Sequence, residues 1–97
     1  MRLRWTRRAA ADLNRIAARV IADNPSAARD FAAALRARAE RLRQLPFLGR
    51  PGALDDTREL IVHRNYILTY RVHGDEAQAL QLWNVARNLP RTRRGRE

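Results

Sequence analysis

The sequence predicts an α+β fold: an N-terminal strand, a two-helix antiparallel hairpin, then a three-stranded antiparallel meander covered on one face by the helices. Two observations carry this prediction. Apolar residues recur at helical spacing through the first half of the chain, and the period changes to strand-like alternation after a loop rich in Pro and Gly. The connections within each half are also short, so successive elements fold back on one another.

The opening "MRLRW" is a strand candidate, and Thr6 is placed to cap the first helix. Ala9, Leu13, Ile16, Ala17, Val20 and Ile21 then follow at helical spacing, with Arg8, Asp12, Arg15 and Arg19 assigned largely to the opposite face. "DNPSA" ends this helix and starts another: Asn24 suits the N-cap, and Pro25 suits the first helical position, where a missing N–H costs nothing. The second helix carries Ala28, Phe31, Leu35, Ala39, Leu42 and Leu45 on one stripe, with Arg29, Arg36, Arg38, Arg41 and Arg43 elsewhere. "LPFLGRPGALDD" reads as a structured loop. "TRELIVH" (57–63), "YILTYRVH" (66–73) and "AQALQLWNVA" (77–86) are β-branched and aromatic segments joined by tight connections. Residues 1–90 are expected to form one domain, and the basic tail 91–97 is expected to be flexible.

Composition narrows the classes of function. A chain of 97 residues builds one small core, and without cysteine it has neither disulfides nor thiolate metal sites, which suits a reducing cytosol. No apolar run approaches a membrane span, and no apolar segment follows the N-terminal arginines as a secretion signal requires. A cytoplasmic location with no membrane partner is therefore expected. The net charge is +10, and all 20 basic residues are Arg. Coding bias in an Arg- and Ala-rich chain accounts for Arg in place of Lys, but not for the twofold excess of base over acid. That excess points to an acidic partner, either nucleic acid or an acidic protein.

Several chemistries are set aside. No Gly-rich phosphate loop opens a helix, and no His/Asp/Glu cluster has metal-ligand spacing, so no cofactor or metal is expected. His63 and His73 read as solvated strand-end histidines, and Asp55 with Asp56 as turn formers. Alternation places Leu80, Leu82 and Asn84 on one face of the last strand, and Gln81, Trp83, Val85 and Arg87 on the other. On the preceding strand, Tyr66, Leu68, Tyr70 and Val72 share one face, and Ile67, Thr69 and Arg71 the other. With the leucines facing the helices, the open face carries Trp83, Arg71 and Arg87: a flat ring among guanidinium groups, suited to RNA or to a protein hot spot. Asn84 reads as a hydrogen-bonding strand stop.

Five segments in order, "WTRRAAADLNRIA", "NPSAARDF", "LRQLPFLGRPG", "TRELIVHRNYILTYRV" and "LWNVARNLP", together resemble the RelE/ParE superfamily of type II toxin–antitoxin toxins over residues 3–90. The resemblance implies the fold described above. It also implies one of two activities: messenger RNA cleavage on the ribosome by RelE-like members, or inhibition of DNA gyrase by ParE-like members, which serve plasmid stabilization. Cleavage needs a base for the ribose 2′-hydroxyl, cations around the phosphorane-like transition state and an acid for the leaving oxygen. Where nuclease-type members often carry an arginine in the Y-R-I-V-Y pattern, this chain has Ile67 in "YILTY"; where they carry L-H-x-x-R, it has "WNVAR", with Asn84 for the histidine and Arg87 for the arginine. Isoleucine cannot stabilise a phosphorane, and asparagine does not transfer a proton near neutral pH.

The resemblance therefore implies a ParE-like gyrase inhibitor with no catalytic residue, neutralised by an acidic cognate antitoxin in a hetero-oligomer. Its expected target-binding residues are Trp83, Arg87, Arg91, Arg93, Arg94, Arg58 and Arg71. The alternative is a ribosome-dependent endonuclease acting on mRNA, in which Arg87 and Arg58 hold phosphate and Glu59, Tyr66 or Tyr70 carries the proton.

Overall fold

The computed structural model describes residues 1–85, apart from the side chain of Ala28. Strand β1 (Arg2–Trp5) leads into helix α1 (Arg7–Asp23), and helix α2 (Pro25–Glu40) follows directly after Asn24 and tightens into a 3-10 turn at Arg41–Arg43. The meander comprises β3 (Arg58–His63), β4 (Tyr66–His73) and β5 (Glu76–Asn84). A two-residue strand, β2 (Arg50–Pro51), lies within the segment expected to be all loop. The sheet order is β1-β5-β4-β3-β2, with β1 parallel to β5 and the other pairs antiparallel, so the sheet is mixed.

Local chemistry fixes the helix ends. The Ala9 N–H donates to Thr6 Oγ1 (3.2 Å), while the Thr6 hydroxyl donates to the Ala79 carbonyl (2.7 Å), pinning the start of α1 to β5. Asn24 closes α1 through its N–H to the Val20 carbonyl (2.8 Å) and opens α2 by accepting the Ala27 N–H at Oδ1 (3.2 Å). Pro25 at the first position of α2 removes a donor that would have no helical partner. The helices cover one face of the sheet, where Leu13 and Ile16 of α1 and Phe31, Leu35 and Ala39 of α2 meet Leu60, Leu68, Tyr70 and Leu82. Each buried Leu, Ile or Phe side chain among them contributes roughly 1.5–3 kcal/mol relative to exposure.

Four expectations need correction. Asp12 is not on the solvent face but is 1 % exposed, because residue 12 falls on the stripe formed by Ala9, Leu13 and Ile16. Ile21 and Leu45, assigned to the helix stripes, are 51 % and 46 % exposed at the ends of the hairpin. Strict alternation fails at Leu80: Tyr70 pairs with Ala79 and Thr69 with Gln81, so Leu80 is the extra residue of a β-bulge. Ala77 and Ala79 accordingly share the core side with Leu82. His63 is not simply solvated. A second register shift, between Ile61 and His63, sets its ring edge-on to Phe31 at 4.8 Å, with Nδ1 buried and lacking a hydrogen-bond partner among the described residues.

Candidate interaction surfaces

The C-terminal half of β5 extends past the end of β1, and α1 crosses beside it. Strand β1 pairs with β5 only as far as Ala79. Beyond that point the carboxylate of Asp12 takes the place of a neighbouring strand: Oδ2 accepts the Leu82 N–H (3.0 Å). Arg8 Nε donates to the same carboxylate at 3.2 and 3.3 Å, and Arg15 Nη1 at 3.1 Å. A groove of about 230 Å³ opens above this arrangement, with Arg8, Arg15 and Arg19 around it and Ile16, Tyr66, Leu82, Trp83 and Asn84 also lining it.

Trp83 lies on the open face of the sheet, as alternation predicts. It sits in register with Ile67, and its indole Nε1 donates to Thr69 Oγ1 (3.0 Å). Ile67 lies between Trp83 and Ile61 in the sheet and is 4 % exposed. Arg71 is on the same strand, four residues further on, or about 13 Å at the usual rise per residue. The indole nevertheless reaches Thr69, which precedes Arg71 by two residues on the same face of β4, so the ring and the guanidinium share the open face.

Arg71 shares a cleft of about 350 Å³ with Arg58, Phe47, Thr57 and His73. The Arg58 guanidinium lies 4.9 Å from the Phe47 ring centroid and donates through Nη1 to the Gly49 carbonyl (2.6 Å). That contact needs the chain to approach β3 closely at Gly49, where a Cβ would come within 2.7 Å of the Glu59 carbonyl oxygen. Tyr70, fully buried beneath, accepts the Gly49 N–H (2.9 Å) and donates to the Pro46 carbonyl (2.8 Å). Burial raises its phenol above the ordinary value, against the opposing pull of the Gly49 N–H and the Arg58 charge. Glu59 is half-buried and accepts from Arg50 Nη2 (3.1 Å).

Of the residues singled out in the sequence, Arg58 and Arg71 line one cleft, and Trp83 lies over Thr69 on the open face of the sheet. Arg87, Arg91, Arg93 and Arg94 lie outside the described residues. Among the described residues, no group of three His, Cys, Asp or Glu side chains is placed to hold a metal ion. Sequence reasoning missed Phe47, whose position in an irregular loop leaves no periodic signal. It grouped Arg8, Arg15 and Arg19 on one face of the first helix but did not place this face beside β5, which depends on long-range packing.

Comparison with known proteins places this geometry. Residues 3–89 match the family described as "ParE toxin of type II toxin-antitoxin system, parDE". The chain is 39 % identical over 75 residues to a Sinorhizobium fredii (strain NBRC 101917 / NGR234) protein named "Putative toxin Y4kP", covering 76 % of this chain and 78 % of that protein. Its fold superposes on a solved structure titled "Chromosomal ParDE TA system from P. aeruginosa" with a TM-score of 0.81 and 31 % identity, covering 88 % of this chain and 96 % of the other.

Proposed function

Because this chain belongs to the ParE toxin family of type II toxin–antitoxin systems, we propose that it acts in the cytoplasm by inhibiting DNA gyrase and is held inactive by an acidic cognate antitoxin. The observation that carries this reading is the state of the groups a ribonuclease would need. Ile67 stands where nuclease-type relatives present an arginine, and it is buried against its strand neighbours. Asn84 stands where they present a histidine, and its amide has no titrating proton. The remaining candidate acid–base groups are engaged structurally: Glu59 with Arg50, Tyr70 with Gly49 and Pro46, and Tyr66 edge-on to Phe31 at 5.2 Å.

What remains is positive charge beside apolar rings, which suits binding. Arg58 and Arg71 beside Phe47 form one contact region for gyrase. Trp83 with Arg87 and the tail arginines Arg91, Arg93 and Arg94 supply another. A supercoiling assay with purified protein tests this. Inhibition by micromolar toxin, relieved by antitoxin, is the expected result, and unaltered supercoiling at that concentration would remove the proposal.

A further inference from the structure

Strand β4 outruns its neighbour. Its last pairing with β3 is Arg58 with Tyr70, so Arg71, Val72 and His73 have a strand beside them only on the β5 side. The cleft that Arg58 and Arg71 line runs along this open flank. Arg58 is already oriented within it. Its Nη1 is held by the Gly49 carbonyl and its guanidinium lies against Phe47, while Nε and Nη2 make no hydrogen bond among the described residues. The Tyr70 hydroxyl braces Pro46 and Gly49 from beneath, so this arrangement exists before any ligand arrives. Arg71 is exposed and has no side-chain hydrogen bond or ion pair among the described residues. Asp56 is the one carboxylate among the lining residues, and Glu59 on β3 is engaged by Arg50.

We propose that this cleft binds a backbone phosphate of the DNA on which gyrase acts, with Arg58 and Arg71 sharing its two non-ester oxygens. The proposal rests on the gyrase reading and deepens it: the cleft contacts the DNA of the complex, not the surface of the enzyme. Guanidinium forks match the paired oxygens of a phosphodiester. The twofold excess of base over acid draws a polyanion toward the whole molecule. A protein contact depends instead on an enclosed seat for an aromatic or aliphatic anchor. Phe47 does not form one, being 63 % exposed with Arg58 against its ring. Asp56 opposes the ligand. Its φ of 63° lies in the left-handed region, which Asn also tolerates, so Asp56→Asn removes the opposing charge without backbone strain.

The test compares wild type, Arg71→Ala, Asp56→Asn and a control of equal charge change, Arg36→Ala on the exposed side of α2. Binding of each purified toxin to a short labelled DNA duplex is followed by fluorescence anisotropy over a range of salt, with a poly-glutamate peptide as competitor, and each is assayed for gyrase inhibition. Arg71→Ala is expected to weaken duplex binding about threefold or more and to lower the slope of log affinity against log salt by about one, the signature of one lost phosphate contact. Asp56→Asn should tighten binding about twofold or more, and Arg36→Ala should change neither quantity. Gyrase inhibition should fall in Arg71→Ala and hold in Arg36→Ala. Equal losses of duplex affinity in Arg71→Ala and Arg36→Ala would overturn the proposal, as would an unchanged salt slope in Arg71→Ala. So would competition by poly-glutamate as strong as by unlabelled duplex, or loss of gyrase inhibition in Arg71→Ala with duplex binding intact. A wild-type toxin that binds duplex through Arg71 yet leaves supercoiling unaltered would support the phosphate site and defeat the gyrase assignment alone.

Discussion

A carboxylate withdrawn from water costs several kcal/mol unless its oxygens find donors. Asp12 meets that condition through the Leu82 N–H and two arginines, and it does for β5 what a neighbouring strand would do. Replacing Asp12 with Ala strands the buried Leu82 N–H, and the expected loss is about 1–3 kcal/mol of unfolding free energy. Asp12→Asn keeps a carbonyl oxygen for that N–H and should lose less. Denaturant midpoints for both variants check this, and equal losses would contradict it. Tyr70 makes a parallel case. Its hydroxyl joins Gly49 to Pro46 beneath the Arg58 cleft, so Tyr70→Phe should cost about 1–3 kcal/mol by the same measurement. A midpoint unchanged from wild type would mean that water replaces both partners. The two residues differ in how far the sequence exposed them. Tyr70 was assigned to the inner face by alternation. For Asp12 the charge argues for the solvent face, but the spacing of Ala9, Leu13 and Ile16 puts residue 12 on the buried stripe.

At the scale of elements, caps and periods were legible and pairing details were not. Thr6, Asn24 and Pro25 announce helix ends through short-range chemistry, so each was readable within a few residues. The bulge at Leu80 and the small strand β2 depend on contacts between segments distant in sequence, and no local pattern encodes them. The parallel docking of β1 is likewise long-range. It is clasped by Arg2 on Asp75 (3.0 Å) and Arg4 on Glu76 (3.1 Å). The Arg2 hydrogen bond holds Asp75 below its ordinary value; Glu76 is lowered first by Gln78 and then by Arg4. Both pKa values are depressed by folding, so the clasp contributes fully above the ordinary carboxylate range and is lost as pH falls through the depressed values. Amide exchange in β1, corrected for intrinsic rates, should therefore speed up relative to β4 below about pH 4. Protection that stays in constant ratio across that range would show that main-chain pairing alone holds β1.

Across the whole molecule, five of the 20 arginines line two described surfaces of different construction: a groove beside α1 with Arg8, Arg15 and Arg19, and a cleft in which Arg71 lies near Arg58 and Arg58 lies over Phe47. The order of elements was legible because each half of the chain keeps a single period. The groove beside α1 was not, because it depends on the packing of α1 against the β5 edge. Under the proposed function the toxin restrains its target by contact, without cleaving a bond. Induction of the toxin in growing cells, followed by parallel mapping of DNA breaks and of transcript ends, tests this most directly. The account predicts breaks at gyrase sites with messenger RNA intact. Codon-specific transcript cleavage without DNA breaks, lost in Arg87→Ala, would contradict it.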